Sequence, residues 1–244
     1  TRVYDKEEGV FYYPEQFLYK CTTYDQLDEE MTYRLNIRNK KTSKLIYAET
    51  ELVKDFYILK PQLNHPTRPS ISIPDNETSK EVSWLSAEYG KRYQLSLCFH
   101  YKEKWFDNPD TLRKEVEWIL GSVKSDGIAG GEEISKSFSN QGFYAFLESK
   151  IIMDSPDEEK VDLRVAGKLD IIISVAGSDF NTYMEVNEPT ATIVQTRPEY
   201  TNIENGIGLF SSRYTKTRTF SLNPATEETL ASKENLKFRR LVNP

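Results

Sequence analysis

The sequence has few of the residues on which most metal centres and nucleophilic active sites depend. Its 244 residues include only two histidines and two cysteines, at His65, His100, Cys21 and Cys98. No CxxC pair or Cys/His cluster occurs, so a zinc site would need a carboxylate or a distant cysteine as a ligand. Two cysteines are too few for a disulfide framework, and they are either unrelated thiols or one isolated bridge. We therefore predict no metal site and no cofactor.

Several sequence motifs of enzymes are missing as well. The chain has no GxSxG nucleophile elbow to accompany either histidine. The stretch YTNIENGIGLFSSRY, from Tyr200 to Tyr214, lacks the third glycine of a dinucleotide-binding fingerprint and the Gly-Lys-Ser/Thr of a phosphate loop. The acidic cluster at 154–162 lacks the alternating acids of a calcium loop. No pair among the 38 acids is singled out as a glycosidase pair. We predict no catalytic residues, and hence a protein that is not an enzyme.

A basic surface and a long apolar run are also absent. The chain carries 32 Lys+Arg against 38 Asp+Glu, a net charge of −6. Because phosphate binding needs a basic stripe, no nucleic-acid partner is expected. No apolar run approaches the length of a membrane span. The chain starts at Thr1 without Met, which we interpret as a processed or trimmed end.

Aromatic residues, in contrast, are plentiful. The 15 tyrosines indicate a strand-rich protein, because aromatic rings fit a half-buried pleated surface. The clearest strand lies within residues 87–101, where alternate residues from Tyr93 to Tyr101 share one face. Tyr93 follows a turn at Tyr89-Gly90, an arrangement similar to the tyrosine corner of immunoglobulin-like sandwiches. We predict an immunoglobulin-like or fibronectin-like β-sandwich over residues 1–108.

The pattern changes after Asn108-Pro109-Asp110, where we predict a domain boundary. A helix is predicted around 143–151, with Asn140 as its cap, and a last helix is predicted to start at Asn223-Pro224. Residues 109–244 therefore form a predicted α+β domain. The fold class as a whole is mostly β with some α.

Two further segments of this second half carry specific predictions. A long strand is predicted from Val161 to Val175, where Gly167 indicates a bulge. Seven apolar residues of this stretch share one parity: Val161, Leu163, Val165, Leu169, Ile171, Ile173 and Val175. Asn205-Gly206 is a turn signal, because both residues tolerate positive φ. A strand is predicted to begin at Leu209 and to continue to Phe220, so NIENGIG is most simply a tight entry into a strand.

Five residues are candidates for binding. Trp105 and Phe106 form the aromatic pair most expected to be exposed, and exposed aromatic residues anchor interfaces. Asn202, Asn205 and Arg213 belong to the 200–214 stretch and would contact a partner if that stretch is a binding loop.

The same stretch resembles the C-terminal signature of a family of uncharacterised Bacteroidetes lipoproteins, roughly Asn-Ile-x-x-Gly-x-Gly-x-Phe. Asn202, Ile203, Gly206, Gly208 and Phe210 carry the resemblance. It implies a lipid-anchored protein, exported to the outer membrane and exposed at the cell surface or on the periplasmic face, which works beside a TonB-dependent transport barrel. It implies no catalytic residues, and the lipidated cysteine of the family has no counterpart here.

Three functions are compatible with these observations. The first is a non-enzymatic surface lipoprotein that binds a nutrient, such as a glycan or peptide, or a transport partner. The second is a glycan-active hydrolase with paired carboxylates in a pocket. The third is a purely structural or adhesive surface protein.

Overall fold

The computed structural model describes residues 2–5, 15–75, 79–153, 158–187 and 199–240. The chain divides into two compact units, Thr1–Glu30 and Met31–Pro244. The smaller unit contains one antiparallel hairpin, formed by β1 (Arg2–Asp5) and β2 (Glu15–Leu18).

The larger unit is mostly β, with three α-helices, as the composition predicted. Its strands are β3 (Thr32–Arg38), β4 (Leu45–Glu51), β5 (Ile58–Lys60), β6 (Ser70–Ile71), β7 (Ser79–Leu85), β8 (Arg92–Trp105), β9 (Asn108–Lys124), β10 (Glu133–Ser139), β11 (Val161–Ala176) and β12 (Arg213–Leu222). Its helices are α1 (Asn140–Met153), α2 (Ser178–Asn187) and α3 (Pro224–Ser232), with short 3-10 turns at Glu158–Lys160 and Glu234–Leu236.

A five-stranded sheet organises this unit. Its strand order is β6-β12-β11-β8-β9, and all of its pairings are antiparallel except that of β6 with β12. A three-stranded sheet, β10-β7-β5, and the β3–β4 hairpin complete the strands. The predicted boundary between 108 and 109 falls at the start of β9, so residues on both sides of it pair in one sheet.

The core lies on one face of the five-stranded sheet, where the alternation of β8 places Tyr93, Leu95 and Leu97 at no more than 1% exposure. The same apolar cluster includes Trp84 from β7 and Leu147 from α1. Each such fully buried side chain contributes about 1.5–3 kcal/mol. The opposite face of this sheet, called here the outer face, carries the even-numbered residues of β8.

The tie-back expected of Tyr93 is present. Its hydroxyl accepts a hydrogen bond from the backbone N–H of Ala87 at 2.8 Å. Gly90 lies under the ring, and a Cβ there would come within 2.6 Å of the Tyr93 hydroxyl oxygen. This contact fixes the entry of the chain into β8.

Two local predictions were wrong, for different reasons. Strand β12 begins at Arg213 rather than Leu209, because the segment before it is held by side-chain hydrogen bonds instead of a ladder. Asn140 is the first residue of α1 rather than its cap. Its amide donates to the carbonyl of Pro74, while the Ser139 hydroxyl accepts from Gly142 N.

Candidate functional site

A groove of about 1350 Å³ opens on the outer face of the five-stranded sheet, in the part nearer the β8–β9 turn. Its apolar lining comes from β11, where Leu163, Val165 and Ala166 are half-buried. Next to them Gly167 packs against the backbone of β8, and a Cβ there would lie 2.5 Å from the carbonyl oxygen of His100. The register shift between Ala166 and Leu169 confirms the predicted bulge.

Four exposed cations surround this apolar lining, contributed by β8, β9 and β11: Lys102, Lys104, Arg113 and Lys168. Within the part of the chain that the structure describes, none of the four forms an ion pair. Elsewhere the cations Lys60, Lys124 and Lys216 each lie within 2.8 Å of a carboxylate oxygen. The groove therefore concentrates an excess of positive charge, over the carboxylates of Glu115 and Asp170 that also line it, in a chain whose net charge is −6.

A buried ionic network underlies the cationic strands. Glu103 lies between two of these lysines in sequence and is fully buried, as is Arg164 on β11. Arg164 Nε donates to Glu103 Oε1 at 2.9 Å, and Lys114 Nζ lies 2.7 Å from Glu103 Oε2. Arg164 also donates to both carboxylate oxygens of Glu158 and, at 3.1 Å, to the carbonyl of Leu236. The network joins β8, β9, β11 and the C-terminal segment.

Burial and ion pairing shift the pKa values of Glu103 and Arg164 in opposite directions. Burial alone would raise the pKa of Glu103, but hydrogen bonds from Lys114 and Arg164 outweigh it and hold that pKa below its ordinary value. Burial likewise would lower the pKa of Arg164, while Glu158 and Glu103 raise it. Both groups therefore stay charged at neutral pH.

A second series of polar side-chain contacts runs across the groove, from β12 to β9. Thr219 on β12 donates to Asp170 Oδ1 at 2.5 Å, and Asp170 Oδ2 lies 2.8 Å from His100 Nε2. His100 Nδ1 lies in turn 3.2 Å from Glu115 Oε2 on β9. Four adjacent strands thus each contribute one residue, with His100 on β8 one side-chain position along from the residue that pairs with Asp170.

Cys98 belongs to the same face, two residues before His100. It is a free thiol, as is Cys21. Burial, with smaller contributions from Glu115 and Asp170, raises the pKa of Cys98 to about 11. The thiol is therefore protonated at neutral pH in the absence of a cation.

The aromatic pair predicted to bind lies at the turn between β8 and β9. Trp105 is half-buried, with its indole N–H directed at Glu103 Oε2 at 3.4 Å and Lys160 Nζ 5.8 Å from its ring. Residue Phe106 is 73% exposed, so the predicted exposure of the pair holds for Phe106 and not for Trp105. Lys104, next to the pair in sequence, lines the groove.

The three polar candidates lie in a different place. Asn202 clamps its own loop: its amide donates to Phe210 O at 2.7 Å, and its Oδ1 accepts from Phe210 N at 2.9 Å. Asn205 has φ of 60° and donates to Leu45 O at 3.2 Å. The Arg213 guanidinium stacks over the ring of Phe180 at 4.9 Å.

These two groups of candidates do not form one site. Trp105 pairs with Val161 at one end of β11, whereas Arg213 pairs with Ala176 at the other. The strand rise of about 3.3 Å per residue separates them by on the order of 45 Å. The groove residues were missed because only strand pairing brings them together. The alternation of β8 puts His100 on the outward face of its strand, but nothing in the sequence points to its carboxylate neighbours.

No protein-family model matches the chain, and no curated protein matches it. Among the described residues, no helix is long and apolar enough to span a membrane.

Proposed function

We propose that the protein is a non-catalytic binding protein whose outer-face groove takes an extended ligand bearing several anionic groups. The observation that carries this proposal is the set of four exposed cations around an apolar lining, none of which forms an ion pair with another described residue. Carboxylate, sulfate or phosphate groups on a carbohydrate or a peptide would pair with the cations, and the apolar segment of β11 would contact the ligand backbone. The network of Glu103 and Arg164 beneath fixes the strands that present the cations, so little ordering is needed on binding.

The groove differs in detail from the aromatic patch that the sequence favoured. Phe106 remains available at the adjoining turn as an apolar anchor, because its ring is largely exposed. The immunoglobulin-like sandwich over 1–108 and the surface-lipoprotein role beside a TonB-dependent barrel rest on the sequence alone. Affinity capture from gently solubilised outer membranes tests the partner, because an uptake accessory should recover one transport barrel in stoichiometric amount.

Titration with two polyanionic probes, a sulfated oligosaccharide and poly-glutamate, tests the ligand class. The double substitution Lys102→Glu, Lys104→Glu should weaken binding. Exposed ion pairs contribute about 0.2–1 kcal/mol each, so reversing two charges costs about 1–2 kcal/mol, or roughly 5- to 30-fold in Kd. Binding should also weaken as salt is raised.

The matched control is Lys40→Glu, Lys41→Glu, in the exposed turn between β3 and β4. It changes the net charge equally, so it should leave the Kd within about twofold if the groove is the site. Equal losses in both double variants would mean non-specific attraction and would end the proposal. A neutral oligosaccharide of the same length should not bind the unmodified protein or either double variant.

The hydrolase alternative keeps one specific observation in its favour. Glu115 and Asp170 are two carboxylates in one groove, as a glycosidase requires. Both contact His100, however, so neither projects alone into the groove. Release of reducing ends from the bound oligosaccharide, abolished by Glu115→Gln, would replace the binding proposal with this one.

A further inference from the structure

Sulfur, nitrogen and oxygen ligand atoms lie close together where β8 and β9 meet beside the groove. Cys98 and His100 are alternate residues of β8, so their side chains share the outer face. Glu115 stands opposite His100 on β9. One ligand atom from each of these three residues lies within 4.8 Å of the other two. They are separated in sequence by up to 17 positions and meet only because β8 and β9 form a hairpin.

His100 stands between two carboxylates. Its Nε2 lies 2.8 Å from Asp170 Oδ2, and its Nδ1 lies 3.2 Å from Glu115 Oε2. When the imidazole carries its single N–H on Nε2, the Nδ1 lone pair and Glu115 Oε2 face the same point, and a cation placed there contacts both.

We propose that Cys98 Sγ, His100 Nδ1 and Glu115 Oε2 bind one divalent transition-metal ion of the zinc class. His100 Nε2–H then donates to Asp170, which fixes the tautomer and ring orientation of the ligating histidine. Asp170 is itself held by the Thr219 hydroxyl at 2.5 Å. This carboxylate–histidine–metal arrangement is the usual support of a histidine ligand.

The distances suit such an ion after small side-chain rotations. Bonds of about 2.0–2.3 Å to nitrogen, oxygen and sulfur place tetrahedral ligand atoms about 3.3–3.7 Å apart. The present spacing of up to 4.8 Å therefore has to close by about 1 Å. Rotation of the exposed Glu115 side chain and of the Cys98 thiol supplies this without movement of the backbone. The fourth position faces the groove, which His100 and Glu115 both line.

The ligand set selects the kind of metal. Thiolate and imidazole suit zinc, cobalt(II) and their neighbours, whereas calcium and magnesium prefer all-oxygen sites. Binding requires loss of the Cys98 proton, so the complex forms with release of a proton. The proposal does not depend on the anionic ligand of the groove, because a metal could bind here whether or not the four cations hold anything.

Cobalt(II) titration under reducing conditions tests the site, with Co²⁺ alone as the probe. We expect one equivalent per chain, a thiolate-to-cobalt charge-transfer band in the near-ultraviolet, and visible bands of tetrahedral intensity. Zn²⁺ should displace the cobalt stoichiometrically. Cys98→Ser should abolish the charge-transfer band. Asp170→Asn should keep the band but weaken affinity about 10- to 100-fold, because it removes only the support of His100.

The chain supplies its own matched control, because cysteine and histidine each occur once elsewhere. The double variant Cys21→Ser, His65→Gln leaves the proposed site intact and should bind cobalt with the same stoichiometry, spectrum and affinity. Far-ultraviolet circular dichroism checks the fold of each variant without metal. Glu115→Gln, at an exposed position, should lower affinity at least tenfold even if the Cys98 variant does not fold.

Three results would overturn the proposal. The first is the absence of a saturable charge-transfer band in the unmodified protein. The second is loss of that band in the Cys21→Ser, His65→Gln control. The third is an unchanged cobalt affinity in a folded Glu115→Gln or His100→Gln variant.

Discussion

Arg164→Met is the substitution whose effect the structure predicts most directly. Arg164 is fully buried and donates to Glu103, Glu158 and the carbonyl of Leu236. Its removal leaves the Glu103 carboxylate buried with Lys114 as its remaining ion-pair partner. Loss of one partner of a buried pair costs about 3–5 kcal/mol. Because Lys114 compensates in part, we expect about 3 kcal/mol, which lowers Tm by roughly 6–12 °C at this chain length.

Urea unfolding of four proteins measures this cost: the unmodified chain, Arg164→Met, Glu103→Gln and the double variant. The double variant should recover part of the loss, because it buries no unpaired charge, and the coupling between the two sites should exceed about 1 kcal/mol. Lys124→Met is the control, because it breaks an exposed ion pair with Glu185 and should cost less than about 1 kcal/mol. A loss for Arg164→Met no larger than that of the control would refute the reasoning.

The remaining predictions concern pH and two hydrogen-bonded positions. The folded pKa of Glu103 is below its unfolded value of about 4.3. The carboxylate therefore stabilises the fold above about pH 4.3, and this stabilisation is lost as pH falls through the folded pKa. Below about pH 5 the free energy of unfolding in urea should depend less on pH in Glu103→Gln than in the unmodified protein. Tyr93→Phe removes the acceptor for the buried Ala87 N–H and should cost about 1–3 kcal/mol in the same assay. Asn205→Ala should lower Tm only slightly if its loop binds a partner, with affinity lost instead; a large fall in Tm would support the turn interpretation.

The sequence predicted those strands, helix starts and hydrogen bonds that depend on residues close together along the chain. The alternation from Tyr93 onward predicted β8 and its buried face. Asn223-Pro224 predicted the start of α3, where the Asn223 side chain accepts from Thr226 N at 2.9 Å. Tyr93 could be matched to its upstream contact because only six residues separate it from Ala87.

Strand pairing was not readable in the same way. The sheet joins β8 to β11 and β12, which come from the other side of the predicted domain boundary. Such a register depends on contacts between distant segments, and the local pattern of each strand is compatible with many partners. The candidate site could not be predicted for the same reason, because Lys102 and Thr219 line the same groove from positions more than 100 residues apart.

The bulge at Gly167 explains why the groove and its buried support exist together. In sequence, Leu163 and Val165 have the same parity as Leu169, which would place all three in the core. The extra residue at the bulge reverses the faces of β11, so Leu163 and Val165 line the groove while Leu169 is buried. The same reversal turns Arg164 inward, opposite Glu103. One glycine that packs against the His100 carbonyl thus places apolar residues under the ligand groove and a guanidinium in the core, because a single-residue shift exchanges the faces of the residues beyond it, as far as the second register shift between Val161 and Leu163.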